Sequence, residues 1–391
     1  MFTLPAHTSG VPIAWRNLFA DKRRLARSAA GIAFAIVLML IELGFRNGFV
    51  DAAVDVIQAF DCDIVITSAA KYQFAKKAPF ARRQLYEARG VAGVASVRAI
   101  YAEWVNSIWK NPITHASYAV QLFGFDPDQP VFLFPEVAAS LSELRRPDTV
   151  MTDSLARSFV GSGAPGLTSE LARSTVQIVG HFALGPDFYT DGTLIMSDRN
   201  FLKFLGRTES QTGALPDPEF GVVKIRAGYD ARRVQQALRA ALPPNVAVLT
   251  KADFVDQETS FQSNVSGVGP IFGVGTLIGF AVGMMISYLT LHSEISDQLP
   301  QYATLKAIGY GDWFLIRIVM QQAVFYGLVG YLPAWAIAFV LYRVLGAIAL
   351  LPLRMTRGLT LMSFALTIGM CVLSALLAVR PVIRTDPAEV F

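Results

Sequence analysis

"GPIFGVGTLIGFAVGMMISYL", Gly269–Leu289, is the stretch on which the reading of this chain turns. It contains no charged residue. As an α-helix, rising about 1.5 Å per residue, it is long enough to cross the roughly 30 Å hydrocarbon layer of a bilayer. Its glycines, Gly273, Gly275, Gly279 and Gly283, include small-xxx-small spacings that let a neighbouring helix approach closely. Working outward, two further apolar runs follow it, about Ile318–Tyr342 and Leu359–Val379. One precedes it, "AAGIAFAIVLMLIELGF", starting at Ala29. Between the first and second runs lies Asp61–Gln257, of ordinary mixed composition. The expected fold class is therefore an α-helical membrane protein with four transmembrane helices. A large α+β periplasmic domain stands between helices 1 and 2.

Composition agrees. The chain has 391 residues, of which 53% are hydrophobic and only 16% charged. Its mean hydropathy is +0.42. A net charge of +4 is too modest to argue for nucleic acid, and no arginine stripe with interleaved aromatics is present. The basic residues flank the spans, where anionic membrane lipids attract them. Lys22, Arg23, Arg24 and Arg27 precede the first span, which places the N-terminus in the cytoplasm. The polar segment ahead of that span is long and no small-residue cleavage site follows it, so the span reads as an uncleaved anchor. Trp15, Leu18 and Phe19, with Arg16 among them, suit a helix along the inner interface within residues 1–28. An even number of spans returns residues 380–391 to the cytoplasm, and Arg380 and Arg384 agree. Arg343, Arg354 and Arg357 do not: this topology puts the short loop 343–358 outside.

The helical pattern of the first span continues as a stalk, with Phe49, Ala53, Val56 and Phe60 on one face. A second stalk precedes the second span from residue 258. In the domain, "DIVIT" (Asp63–Thr67), Ala95–Trp104 and Tyr118–Phe125 read as strands, with a helix near Phe80–Arg89. "GVVKIRA", "DARRVQQALRAAL" and "VAVLT" read as strand, helix and strand. The segment of about Asp126–Glu219 is richer in Pro and Gly. It reads as an inserted subdomain with strands such as "TVQIVGHF" and "GTLIMS".

Little suggests catalysis. "GSGAPGLT", Gly161–Thr168, has the glycine spacing of a phosphate-binding loop, but Leu167 stands where the lysine belongs. No Ser/His/Asp set or nucleophile elbow is visible. The four histidines, His7, His115, His181 and His292, lack ligand spacing, and Cys62 and Cys371 lie too far apart in the layout to pair. No cofactor or metal is expected. Glu42 is unusual in ending an apolar run. It reads either as an i,i+4 partner of Arg46 at the interface or as a group used in gating or substrate contact.

One stretch asks for more than a connecting loop. "DQLPQYATLKAIGYGDW", Asp297–Trp313, lies between the second and third spans on the cytoplasmic side. Pro300 suits a first helical turn, Gly309 a left-handed stop, and Asp312 the cap of the next helix. Tyr302, Leu305 and Ile308 recur at helical spacing, which predicts one apolar face able to dock in a groove of another protein.

"QYATLKAIGYGDWFLIRIVMQQAV", Gln301–Val324, resembles the cytoplasmic coupling segment of FtsX-like ABC transporter permeases, nearest the DevC branch of the MacB-type exporters. "RPVIRTDPAEVF", Arg380–Phe391, and "IAWRNLFADKRRLARSAAGIAFA", Ile13–Ala35, are similar to the family's closing and opening segments, and the layout of spans matches throughout. The resemblance implies a homodimeric permease worked by a separate ABC ATPase subunit. The ATPase interface would be Gln301, Tyr302, Thr304, Leu305, Lys306, Ile308, Gly309 and Tyr310. It further implies a periplasmic adaptor of the membrane-fusion type, a TolC-like outer-membrane channel, contact with membrane lipids, and a place in the bacterial inner membrane. Two parts of the outer domain are implied as well, Asp61–Phe125 with Phe220–Gln257 and the insert Asp126–Glu219. A rival within the superfamily is an FtsX-like signalling protein that regulates cell-wall hydrolases. A membrane-bound enzyme is disfavoured by the missing acid/base set.

Overall fold

Largely continuous apolar runs at 64–66, 97–100 and 220–223 dictate a sheet buried on both faces. The computed structural model, which describes residues 22–187, 190–208 and 216–379, contains that sheet. It falls into two compact units. One is mixed α and β and comprises residues 47–269 with 346–352. The other is helical and draws on the remaining described residues.

In chain order the mixed unit carries the end of α1 (Lys22–Gln58), β1 (Ile64–Ser68), α2 (Arg83–Arg89), β2 (Val94–Glu103), β3 (Ile108–Lys110), β4 (Ser117–Ala119) and β5 (Gln121–Phe125). Then come α3 (Pro135–Ala139), α4 (Leu141–Leu144), β6 (Thr149–Asp153), β7 (Thr168–Leu171), β8 (Ser174–Phe182), β9 (Thr193–Ser197) and α5 (Asp198–Thr208). It closes with β10 (Phe220–Ile225), α6 (Ala231–Ala241), β11 (Val246–Thr250) and α7 (Lys251–Asn264). The strand order is β11-β1-β10-β2-β5-β9-β6-β8-β7-β3-β4.

The first four strands pair antiparallel throughout. Period-two alternation splits their side chains. Ile64, Ile66, Val97 and Val223 pack with Leu85 of α2 and Leu238 of α6. Val65, Ile100 and Val222 face the other way, onto Phe60, Phe74 and Phe254. β2 belongs to both halves of the sheet: Val94–Ile100 pairs with β10, and Tyr101–Glu103 with β5. β5 and β9 run parallel, as do β6 and β8. The lobes thus divide within β2. Sequence reading put Gln121–Phe125 in the first lobe and opened the insert at Asp126, but β5 hydrogen-bonds along its whole length to β9 of the second. The expected strand Tyr118–Phe125 is two, β4 and β5, and β4 pairs with β3, whose three residues carry too little periodicity to read.

The helical unit is built from α1, α8 (Val268–Asp297), α9 (Leu299–Ala307), α10 (Asp312–Ala349) and α11 (Arg357–Ala378). Among the described residues four helices are long and apolar enough to cross a membrane: α1 from Ser28, α8, α10 and α11. With the large mixed domain between the first two, this is the fold class expected. The glycine stripe of α8 does what its spacing predicts. A methyl at Gly279 would lie 2.9 Å from Met39, and one at Gly283 would lie 2.5 Å from Met370 Sδ and 3.0 Å from Ala35. Gly273 is outside the contact, with nothing within 4 Å of that position. Tyr331 Oη donates to Thr360 O at 2.8 Å and Ser374 Oγ to Met284 O at 2.7 Å, so buried hydroxyls fasten α10 to α11 and α11 to α8.

The loop between the last two spans is shorter than the expected 343–358. α10 runs on to Ala349, and Arg343 lies within it, its guanidinium 5.0 Å from the Phe339 ring centroid. The apolar pattern continues past the arginine, whose stem can lie along the helix while its head reaches polar surroundings.

Candidate functional site

The coupling segment is a short helix held between two spans. Pro300 sits in the first turn of α9, where a missing N–H costs nothing. Gly309 has φ +104°, with open space where a side chain would project. Around it Gly309 N–H donates to Lys306 O at 3.0 Å and Tyr310 N–H to Leu305 O at 3.1 Å, the paired bonds of a Schellman stop. Across the turn Lys306 Nζ meets Asp312 Oδ1 at 3.1 Å, and the rings of Tyr310 and Phe314 stack at 4.6 Å. Asp312 is the first residue of α10 and not its cap, its carboxylate going to Lys306 instead. Start and stop are those read from the sequence.

The apolar face is not. Tyr302 is 4% exposed and Ala303 0%, and Leu305 packs against the bundle core. Ile308 instead points outward and is 71% exposed. At about 100° per residue Ile308 lies roughly 120° round the helix from Tyr302, at the limit of one face. Gln301, Thr304, Gly309 and Tyr310 share the outward side, and Trp313, 79% exposed, completes it. Trp313 was not among the residues singled out. Its signal was an indole in the first turn of a helix, directly after the polar turn Gly309–Asp312. Lys306 is half-buried and engaged by Asp312.

Tyr302 anchors the inward side. Its hydroxyl lies 3.4 Å from Gln298 Oε1 and 3.5 Å from Gln322 Oε1, the latter on α10 and fully buried. Burial, with the negative charge of Glu294 added, pushes the phenol up to about 12, so it remains a neutral donor at any physiological pH.

Glu42 and Arg46 are both half-buried, and among the described residues they form no ion pair with each other. The pairing expected from their spacing is corrected. Glu42 turns toward α8, where a methyl at Gly275 would come within 2.5 Å of its Oε2. The absent side chain of Gly275 is what gives the carboxylate room there.

"GSGAPGLT" is a loop between β6 and β7. Trp109 Nε1 donates to Gly161 O at 3.3 Å and Asn111 Nδ2 to Phe159 O at 2.8 Å. A strand follows it, whereas a phosphate-binding loop opens a helix. No group of three or more metal-ligating side chains occurs among the described residues. The opening segment before Lys22 and the closing segment from Arg380 lie outside the described residues.

Residues 273–387 match the family described as FtsX-like permease C-terminal. This part of the chain is similar to the C-terminal part of FtsX-like permeases. The matched region contains α9, its turn and both spans that follow, and the family resemblance carried by Gln301–Val324 is borne out. No curated protein matches the chain by sequence. Among solved structures, the periplasmic region of MacB from Actinobacillus actinomycetemcomitans is similar at 11% identity and TM-score 0.35, over 54% of this chain and 96% of that one. The extracellular domain of the ABC-type transporter YknZ from Gram-positive bacteria is similar at 14% and 0.32, over 48% and 99%. A domain of a putative permease from Porphyromonas gingivalis is similar at 14% and 0.30, over 48% and 86%.

Proposed function

We propose that this FtsX-like chain is the permease subunit of an ATP-driven exporter of the MacB/DevC type. ATP is hydrolysed on a separate ABC subunit that docks on the outward side of α9 and its turn. Motion of that subunit passes through the spans to the mixed domain in the periplasm. There a membrane-fusion adaptor and a TolC-like channel complete the route for a lipid or other hydrophobic cargo. The permease acts as a homodimer in the bacterial inner membrane.

One observation carries the reading. Ile308, Tyr310 and Trp313 are exposed on a turn stiffened by the Gly309 stop and the Lys306–Asp312 pair, within the family-matched region. Exposed apolar side chains on a rigid turn suit a groove in a partner better than a flexible linker would. The test is co-purification of the ATPase subunit from native membranes. Ile308→Asp and Trp313→Asp should each lose it, because a charge forced into a protein groove costs several kcal/mol and about 1.4 kcal/mol is a factor of ten. Both should leave the membrane level of the chain unchanged. Retention of the ATPase by both variants would sink the proposal. Capture of a cell-wall hydrolase in place of an adaptor would favour the signalling alternative.

A further inference from the structure

The C-terminal end of α1 is gripped by three cations from three elements. Lys251, the first residue of α7, donates from Nζ to Gln58 O at 2.8 Å and to Phe60 O at 2.7 Å. Arg98 of β2 donates to Asp61 O and lies 3.2 Å from Asp61 Oδ2. Lys224 of β10 meets Asp61 Oδ1 at 2.8 Å. The last carbonyls of a helix lack intrahelical donors and carry the negative end of its dipole, so cations belong there. Burial works to raise the Asp61 carboxyl, but its bonds to Lys224 and Arg98 outweigh that and hold it below the usual value. It stays ionised and keeps two of the cations in place.

The two helices that lead between this domain and the first two spans also share one apolar core. Phe60, two residues past α1, is fully buried and its ring centroid lies 5.7 Å from that of Phe220. Phe254 of α7 lies 5.9 Å from the same ring. α1 itself is unbroken from Lys22 to Gln58. Lys251 is a direct polar tie between these helix ends, whereas Arg98 and Lys224 come from strands.

We propose that Lys251 is a positioning residue that makes α7 follow α1. Displacement arriving along α1 is handed to the first turn of α7 through the ammonium, and the domain moves with both helices together. This rests on the permease reading above.

The test is hydrogen–deuterium exchange of the full chain with its ATPase subunit in lipid nanodiscs, with and without ATP and vanadate. The informative peptides span Asp55–Asp63 and Leu249–Asp256. In the unaltered protein both should change protection by a similar factor when nucleotide is trapped. In Lys251→Met the α1 peptide should still respond while the α7 peptide does not, opening a gap of roughly tenfold between them, the scale set by one charge-assisted bond. Lys251→Arg should restore the joint response. Lys251→Gln, which keeps a donor without the charge, serves if the methionine variant fails to reach the membrane. A joint response that survives in Lys251→Met or Lys251→Gln overturns the proposal. So does faster exchange of both peptides by one factor regardless of nucleotide, which marks a cap and nothing more. If the unaltered complex shows no nucleotide response even across Leu299–Trp313, the permease reading fails first and takes this proposal with it.

Discussion

Glu258 and Asp61 show how single residues in the mixed domain answer pH in opposite senses. Glu258 is 2% exposed, accepting Phe74 N–H at 2.7 Å and Gln262 Nε2–H at 2.7 Å. Burial raises its carboxyl, the nearby Asp187 adds to that, and its two hydrogen bonds and Lys71 only partly offset the rise. A carboxyl raised on folding favours the folded state while protonated. That contribution is complete below the unfolded value of about 4.3 and is lost as pH climbs through the folded one. Glu258→Gln should therefore flatten the rise in thermal midpoint that the parent shows on acidification through this window. Asp61 is lowered, so its contribution is present above about 3.9 and disappears as pH falls through the folded value. At the coupling turn, Gly309→Val should cost about 1–3 kcal/mol, because φ +104° is hostile to a β-branched residue. A thermal midpoint unchanged by that substitution would argue against the Schellman stop. Gly309 and Pro300 were legible in the sequence because their roles are local. The inward turn of Tyr302 was not, because it depends on α10 offering Gln322 twenty residues away.

At the scale of elements, the small-xxx-small pattern of α8 announced close packing without saying which glycines take part. The contacts separate them. Gly283→Val has to displace Met370 and Ala35 and should lower stability by about 1–3 kcal/mol. Gly273→Ala meets nothing and should be neutral or gain up to about 1 kcal/mol from helix propensity. Thermal unfolding of the two variants in the same detergent checks the pair, and equal losses would contradict the packing of α8. Long elements such as β8, β9 and α6 were readable from period and composition. β3 was too short to read, and the place of β5 was decided by parallel pairing with β9, a partner 72 residues further along that no local pattern names.

For the whole molecule, the four long apolar helices among the described residues and the basic run before Ala29 predict that the mixed domain lies outside the cytoplasm. Tyr229 is half exposed in the mixed domain. A cysteine placed by Tyr229→Cys should react with a membrane-impermeant reagent in cells whose outer membrane alone is opened. Reaction only after lysis would invert the topology. Purified free of other subunits, the chain should hydrolyse no ATP, and robust turnover by such a preparation would overturn the division of labour proposed above. The layout of spans and domain was visible in hydropathy alone, since it follows from transfer free energies summed over long windows. Division of the domain into lobes was not, because it runs through the middle of β2.

Cys62 and Cys371 are both free and buried. For Cys62, burial pushes the thiol up to about 12, leaving almost no thiolate near neutrality. The native chain is thus chemically quiet toward maleimides and supplies its own blank background, so reporters can be introduced one at a time without first stripping the natural sulfurs. The same two sulfurs become a clock once the fold opens. Modification of Cys62 registers opening of the mixed domain and modification of Cys371 loosening of the helices, and their relative rates rank which half of the molecule gives way first.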